Sequence, residues 1–179
     1  PIPTGFTHVD FDDITQIKNA TNENTVAVML EPVQSEGGVN IPSADYLSNV
    51  KKWCDENNLL LIFDEVSTGL GRLGALFGYE LFDVEPDVLT LAKGLGGGVP
   101  IGAFLCNQRA NVLEPGDHGS TFGGNALTCA ASEASTRFII EEDVPGNSRN
   151  VGKYMKDRLE NLRLKHEIIS DVRGIGCLI

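Results

Sequence analysis

The sequence predicts an α/β fold, a mostly parallel sheet flanked by helices, and three observations carry that prediction. Residues 26–30, 59–63 and 88–92 are apolar almost throughout instead of alternating, as strands covered on both faces are. Segments with helical spacing of apolar residues lie between and after these runs. Charged residues stand at the ends of the runs: Glu31, Asp64 and Lys93 each follow one. In parallel sheets ligands gather beyond the carboxyl ends of strands, so the same pattern marks a site.

Taken in order, residues 26–30 form a first strand, stopped by Glu31-Pro32 because proline cannot continue a ladder. Ser43 is placed to cap a helix running to about residue 57. Tyr46, Leu47, Val50, Trp53 and Cys54 fall on one face of it at spacings of three and four. Asn57-Asn58 breaks the helix, and residues 59–63 form the second strand. A third strand ends at Ala92 and a fourth covers residues 101–105. Past Gly124-Asn125 an alanine-rich helix runs to about residue 142. Pro145-Gly146-Asn147 then reads as a break before a last helix from Ser148 to about residue 162. No internal repeat or low-complexity tract is visible.

Composition narrows the function. A net charge of −11 provides no basic field for nucleic acid or an anionic membrane. Half of the 14 basic residues lie between Arg149 and Arg173, which reads as a charged helix face. Cys54, Cys106, Cys129 and Cys177 are too far apart for a C-x-x-C pair, as expected of free thiols in a reducing cytoplasm. His8 and His166 lack metal-ligand spacing, so no metal site is expected. No apolar stretch approaches the ~20 residues of a membrane span. The start, Pro1-Ile2-Pro3-Thr4-Gly5, reads neither as an initiation nor as a targeting segment. The end stops inside an apolar run, so the sequence is expected to be part of a longer chain.

Lys93 is the only lysine between Lys52 and Lys153, and it closes an apolar run, where a buried amine is expected in place of a surface charge. A lysine and a carboxylate, each at the end of a buried strand, suit a cofactor with an aldehyde at one end and a basic ring nitrogen at the other. Pyridoxal 5'-phosphate is such a cofactor: a lysine amine condenses with its aldehyde, and an aspartate pairs with its pyridine nitrogen. Other readings compete. Asp64-Glu65 resembles the acidic strand end of magnesium-nucleotide ATPases, but the phosphate loop G-x-x-x-x-G-K-[ST] is missing. Gly69-Leu70-Gly71-Arg72-Leu73-Gly74 matches G-x-G-x-x-G, yet two carboxylates at its mouth would repel a pyrophosphate, so these glycines shape a loop. Gly96-Gly97-Gly98 is either a plain turn or a close approach to a flat ring. The stretch from His118 to Asn125 is either a phosphate cradle or a Ser/Thr helix cap.

The motifs taken in order resemble those of the class III aminotransferases, pyridoxal-phosphate enzymes of fold type I, and most nearly the acetylornithine aminotransferase branch. The stretches that carry the resemblance are Glu31-Pro32-Val33-Gln34-Ser35-Glu36-Gly37-Gly38-Val39, Phe63-Asp64-Glu65-Val66-Ser67-Thr68-Gly69-Leu70-Gly71-Arg72 and Leu91-Ala92-Lys93-Gly94-Leu95-Gly96-Gly97-Gly98-Val99-Pro100-Ile101-Gly102-Ala103. A fourth runs from Pro115 to Asn125. The resemblance implies a transaminase that moves the terminal amine of N-acetylornithine, or a related ω-amino acid, to 2-oxoglutarate. Ornithine and 4-aminobutyrate aminotransferases and aminomutases are the alternatives within the family, and a non-catalytic fragment is the alternative outside it. The resemblance assigns Lys93 as the Schiff-base lysine, Asp64 as the partner of the pyridine nitrogen and Val66 as packing on the ring. It assigns Thr121 to the cofactor phosphate of a neighbouring subunit, hence a homodimer, and Glu36 as the gating glutamate at the substrate. Ser67 stands where the family has a glutamine that reaches the cofactor's ring hydroxyl, and Ser35 where glycine is usual. By the same resemblance, residues 1–145 are the central part of a cofactor-binding large domain. Residues 146–179 are an exit helix and the start of a small carboxyl-terminal domain, and the isolated fragment is expected to be inactive.

Overall fold

The computed structural model describes residues 4–179; the opening Pro1-Ile2-Pro3, read above as neither an initiation nor a targeting segment, lies outside them. Eight regular elements follow in order: α1 (Ile14–Ala20), β1 (Ala27–Leu30), α2 (Tyr46–Glu56), β2 (Leu60–Asp64), β3 (Val88–Leu91), β4 (Ala103–Cys106), α3 (Ala126–Glu141) and α4 (Val144–Arg163). Two short 3-10 turns, Gly78–Leu81 and Lys93–Gly96, interrupt the connections. The strands form one sheet in the order β1-β2-β3-β4. The β1–β2 and β2–β3 pairs are parallel, so the expected mostly parallel sheet is present.

β4 departs from it by pairing antiparallel with β3, Leu91 opposite Ala103 and Val88 opposite Cys106. Its connection, residues 92–102, holds only the Lys93–Gly96 turn. A parallel return needs a crossover of a dozen or more residues, normally a helix, so the chain doubles back.

The core lies between the sheet and α2. Leu47, Val50 and Cys54 on α2 and Leu61 and Phe63 on β2 are all within 1% of full burial. Side chains alternate across the strands, so Leu61, Phe63, Leu89 and Leu91 meet α2 while Met29, Ile62, Asp64, Thr90 and Phe104 share the other face. That second face is not covered throughout: Met29 is 53% exposed and Phe104 56%. Uninterrupted apolar runs implied cover on both sides, and the described residues provide it over β2 and β3 on the α2 face, while Leu105 of β4 on that face is 42% exposed. Trp53 is half-buried, its Nε1 donating to Thr21 Oγ1 at 3.1 Å with the Lys18 ammonium 5.3 Å over the ring.

Three local expectations are corrected. Ser43 does not cap α2. Its N–H and hydroxyl both donate to Asp12 Oδ1, at 2.9 and 2.7 Å, and the helix begins after Asp45 with no side-chain cap. Pro145-Gly146-Asn147 is no break but the first turn of α4. Asp143 caps it by accepting from the Gly146 N–H at 3.0 Å, and Pro145 fits because the first turn has no use for its missing N–H. The unpredicted α1 buries only Ile17, too little apolar periodicity to read; Asp13 caps it by accepting from the N–H groups of Thr15 and Gln16. At the carboxyl end, the Cys177 N–H donates to the Arg72 carbonyl at 2.9 Å, tying the terminus to the loop after β2.

Candidate functional site

β2 and β3 run in parallel with Asp64 opposite Thr90, so both strands deliver their carboxyl ends to the same edge of the sheet. Asp64 is the last residue of β2 itself. Its Oδ1 accepts from the Val66 N–H at 3.0 Å and from the Thr90 hydroxyl at 3.3 Å. Oδ2 has no hydrogen-bond partner among the described residues, leaving one anionic oxygen oriented by its sibling and open to a ligand.

Alternation sends the next residue the other way. Glu65 is buried, 1% exposed, and its carboxylate accepts from the N–H groups of Gly78 and Tyr79 (2.8 Å for Tyr79) and from the Thr68 hydroxyl at 3.2 Å. Burial pushes its pKa up, against the pull of the Gly78, Tyr79 and Thr68 donors. A Cβ on Gly78 would stand 2.9 Å from Glu65 Oε2, so glycine is what permits this close backbone approach. Glu65 thereby fastens the loop that leaves β2.

Within that loop, residues 69–73 form turns and only the short 3-10 turn Gly78–Leu81 follows, no long helix, as the loop reading expected and the dinucleotide reading did not. A Cβ on Gly69 would lie 2.8 Å from Leu91 Cδ2 and 2.9 Å from the Glu65 carbonyl; the glycine lets the loop close over the end of β3.

Lys93 opens the 3-10 turn after β3 with a left-handed backbone, φ 44°. Its amine donates to the Ser67 hydroxyl and lies 3.6 Å from Glu36 Oε1. The side chain is 52% exposed, so the expected burial is not present: the described residues leave this edge of the sheet open. Glu36, 89% exposed, sits on the turn that Gln34 and Asn40 close by two backbone hydrogen bonds of 3.1 and 2.9 Å. Glu31 supports that turn from below, accepting from the Ser35 N–H at 3.1 Å and hydroxyl at 2.9 Å. Ser35 thus ties its turn back to the end of β1. A cavity of about 810 Å³ lined in part by Asp10, Asp12, Gln34, Asn40 and Arg173 borders the same turn and includes neither Lys93 nor Asp64.

The fold therefore brings Lys93, Ser67 and Glu36 together and sets Asp64 three residues before Ser67, with half-buried Val66 between them. Thr121 is not brought to them. It lies in an exposed stretch, residues 111–127, and hydrogen-bonds to none of the four. Nearby, Ser120 Oγ accepts from the Gly123 N–H at 3.0 Å, and the cap of α3 is Asn125, accepting from the Thr128 N–H at 3.1 Å, in place of a Ser or Thr. Sequence reasoning missed Thr90 and the buried role of Glu65. Thr90 had a visible signal, the one polar residue inside an apolar strand. Glu65 had none, because its donors lie in residues 68–79 and only folding brings them in.

The donor set fits pyridoxal phosphate: a primary amine at one strand end, and at the next a carboxylate with one oxygen pinned and one open. Comparison with known proteins points the same way. The family profile described as "Aminotransferase class-III" matches residues 7–179. Acetylornithine aminotransferase of Methanocaldococcus jannaschii is 49% identical over 180 residues, covering 100% of this chain and 45% of that protein. Ornithine aminotransferase 2 of Staphylococcus saprophyticus is 49% identical over 181 residues, again 100% of this chain and 45% of the relative. Among solved structures, the acetylornithine aminotransferase of Elizabethkingia anophelis superposes with TM-score 0.91 at 37% identity, covering 96% of this chain and 44% of that one. The ornithine aminotransferase of Toxoplasma gondii ME49 gives 0.93 at 39%, covering 98% and 43%. The chain spans about half the length of the relatives it matches.

Proposed function

The chain belongs to the class-III aminotransferases, and we propose that the complete protein is a pyridoxal-phosphate-dependent transaminase that moves the terminal amine of N-acetylornithine, or a related ω-amino acid, to 2-oxoglutarate. The observation that carries the proposal is the pairing at adjacent strand ends: the Lys93 amine held at Ser67, and Asp64 with Oδ1 fixed by Val66 and Thr90. When bound, pyridoxal phosphate supplies an aldehyde for an amine and a ring that accepts electrons. Lys93 would hold it, and as a free amine Lys93 Nζ is the base for a proton on the substrate carbon. Asp64 Oδ2 would keep a proton on the ring nitrogen, an ionic contact that the Thr90 hydroxyl and Val66 N–H orient through Oδ1. Val66 would pack on the ring and Ser67 would lie at its edge.

Glu36 would be the gating glutamate at a side-chain amine substrate, since its exposed carboxylate already reaches an alkyl amine, that of Lys93, at 3.6 Å. The exposure of Thr121, away from the residues around Lys93 in its own chain, favours its use at the phosphate of a second subunit in a homodimer. In this reading residues 1–145 are the centre of the cofactor-binding domain and residues 146–179 lead out of it. The same reading places the complete protein in the cytoplasm, in the making of arginine; no described helix is long and apolar enough to cross a membrane.

The same level of identity to ornithine aminotransferase 2 supports ornithine as the second donor to test. Glutamate formation from 2-oxoglutarate by the complete protein, with N-acetylornithine and ornithine compared, decides between them. Faster turnover of N-acetylornithine is expected. No glutamate from either donor, with pyridoxal phosphate added, overturns the proposal.

A further inference from the structure

We infer that Ser67 is a positioning residue for Lys93, holding the ε-amine at the exit of β3 through its hydroxyl; the inference rests on the cofactor reading above. The Lys93 side chain is flexible and 52% exposed, so packing does not decide where its nitrogen goes. Two contacts do, the Ser67 hydroxyl and the Glu36 carboxylate. Glu36 is 89% exposed on an open turn, and an ion pair that wet contributes little.

Ser67 is presented differently. The residue before it donates its N–H to Asp64 Oδ1 at 3.0 Å. The residue after it, Thr68, is fully buried and bonds Glu65 at 3.2 Å. Its hydroxyl therefore comes from a loop fastened on both sides. A hydroxyl also does what a carboxylate cannot. It accepts from an ammonium and donates to the lone pair of a free amine, whereas Glu36 can only accept. The free amine attacks a carbonyl carbon with that same lone pair, so in the reactive state Ser67 Oγ serves as acceptor of an amine N–H, as in the contact observed, while the pull of Glu36, which is mostly charge, falls away with the proton.

The test follows labelling of Lys93 by peptide mass spectrometry in the wild type and in Ser67→Ala, Ser67→Cys and Ser67→Thr. Two aldehydes are compared under cyanoborohydride: pyridoxal 5'-phosphate, and propionaldehyde, which has neither ring nor phosphate. In each case the Lys93 nitrogen bonds the aldehyde carbon, the carbonyl oxygen leaves as water, and hydride is added to that carbon. With pyridoxal phosphate, Ser67→Ala and Ser67→Cys are expected to slow labelling about tenfold while Ser67→Thr stays within about twofold of wild type, in the range that misplacing a reacting group costs. Propionaldehyde labelling is expected to be the same in all four, with thermal midpoints alike. Wild-type rates in the Ala and Cys variants, a Thr variant as slow as Ala, or a parallel fall with propionaldehyde overturns the role of Ser67. Absence of pyridoxal-phosphate labelling at wild-type Lys93 overturns the cofactor reading as well, so the two failures are told apart.

Discussion

Replacing Asp87 with alanine tests how the sheet is closed below the site. Asp87 immediately precedes β3, its side chain 4% exposed. Its N–H donates to the Leu61 carbonyl at 2.8 Å, and its carboxylate accepts from the Leu61 N–H at 2.9 Å. The side chain thus adds one rung to the ladder before the register Ile62–Val88 begins. It also accepts from Asn107 Nδ2 at 2.8 Å and lies 3.6 Å from Arg109. Asn107 is exposed and the Arg109 side chain is 35% exposed, so both can turn to water, and the ion pair contributes little. Leu61 is fully buried, and its N–H cannot. An orphaned buried donor costs ~1–3 kcal/mol, and losing bonds to a charged acceptor adds to it, so Asp87→Ala is expected to lower stability by about 3 kcal/mol. With a urea slope near 2 kcal/mol/M this moves the midpoint down by about 1.5 M. Asp87→Asn keeps one acceptor for the Leu61 N–H and should lose about half as much. Burial alone would raise the Asp87 pKa, but the Leu61 N–H, Asn107 and the nearby cations Lys51 and Arg109 bring it below the ordinary carboxylate value. A depressed carboxylate contributes stability above its unfolded pKa and loses it as pH falls, so the gap between wild type and Asp87→Ala should narrow below about pH 4, toward that of Asp87→Asn, since a protonated Asp87 still has one oxygen for the Leu61 N–H. A midpoint shift under about 0.3 M at pH 7, or an Asn variant as weak as Ala, would refute the reasoning.

Two further perturbations read other parts of the fold. Phe63, with no exposed surface at the centre of the core, should lose about 3–5 kcal/mol as Phe63→Ala in the same urea assay; a loss under about 1 kcal/mol would mean the cavity collapses. Burial first, and the neighbouring Asp55 second, push the Cys54 thiol up to about 11. Ellman's reagent at pH 8 should therefore modify exposed Cys106 and Cys129 first and reach Cys54 only on unfolding; early labelling of Cys54 would contradict its burial.

What the sequence disclosed depended on whether the cause was local. The apolar run ending at Phe63 located β2 to within a residue, missing at Asp64 because ladder pairing is made by the backbone and ignores a polar side chain. Pro145-Gly146-Asn147 misled because turn composition and a helix's first turn share residues, and only the bond from Gly146 to Asp143 separates them. The direction of β4 was not in its four residues but in the shortness of the connection before it. Lys93, Asp64 and Glu36 were each legible, through strand ends and a family resemblance, yet their arrangement was not. Ser67 and Lys93 are 26 residues apart in sequence and meet because β2 and β3 are neighbours in register. Ser35, read as a departure beside the gate, has a use that only the folded turn reveals, its bond to Glu31.

Asp64 and Glu65 are consecutive acids with opposite placement, one with an oxygen left open at the edge of the sheet and the other locked inside as a rivet. Nothing in their chemistry distinguishes them; odd or even position along a pleated strand does. A single-residue insertion anywhere in β2 upstream of them would shift that parity, sending the rivet out to solvent and turning the open acid inward among backbone amides. Point substitutions in this strand can be absorbed one atom at a time, whereas a change in its length rewrites both assignments at once.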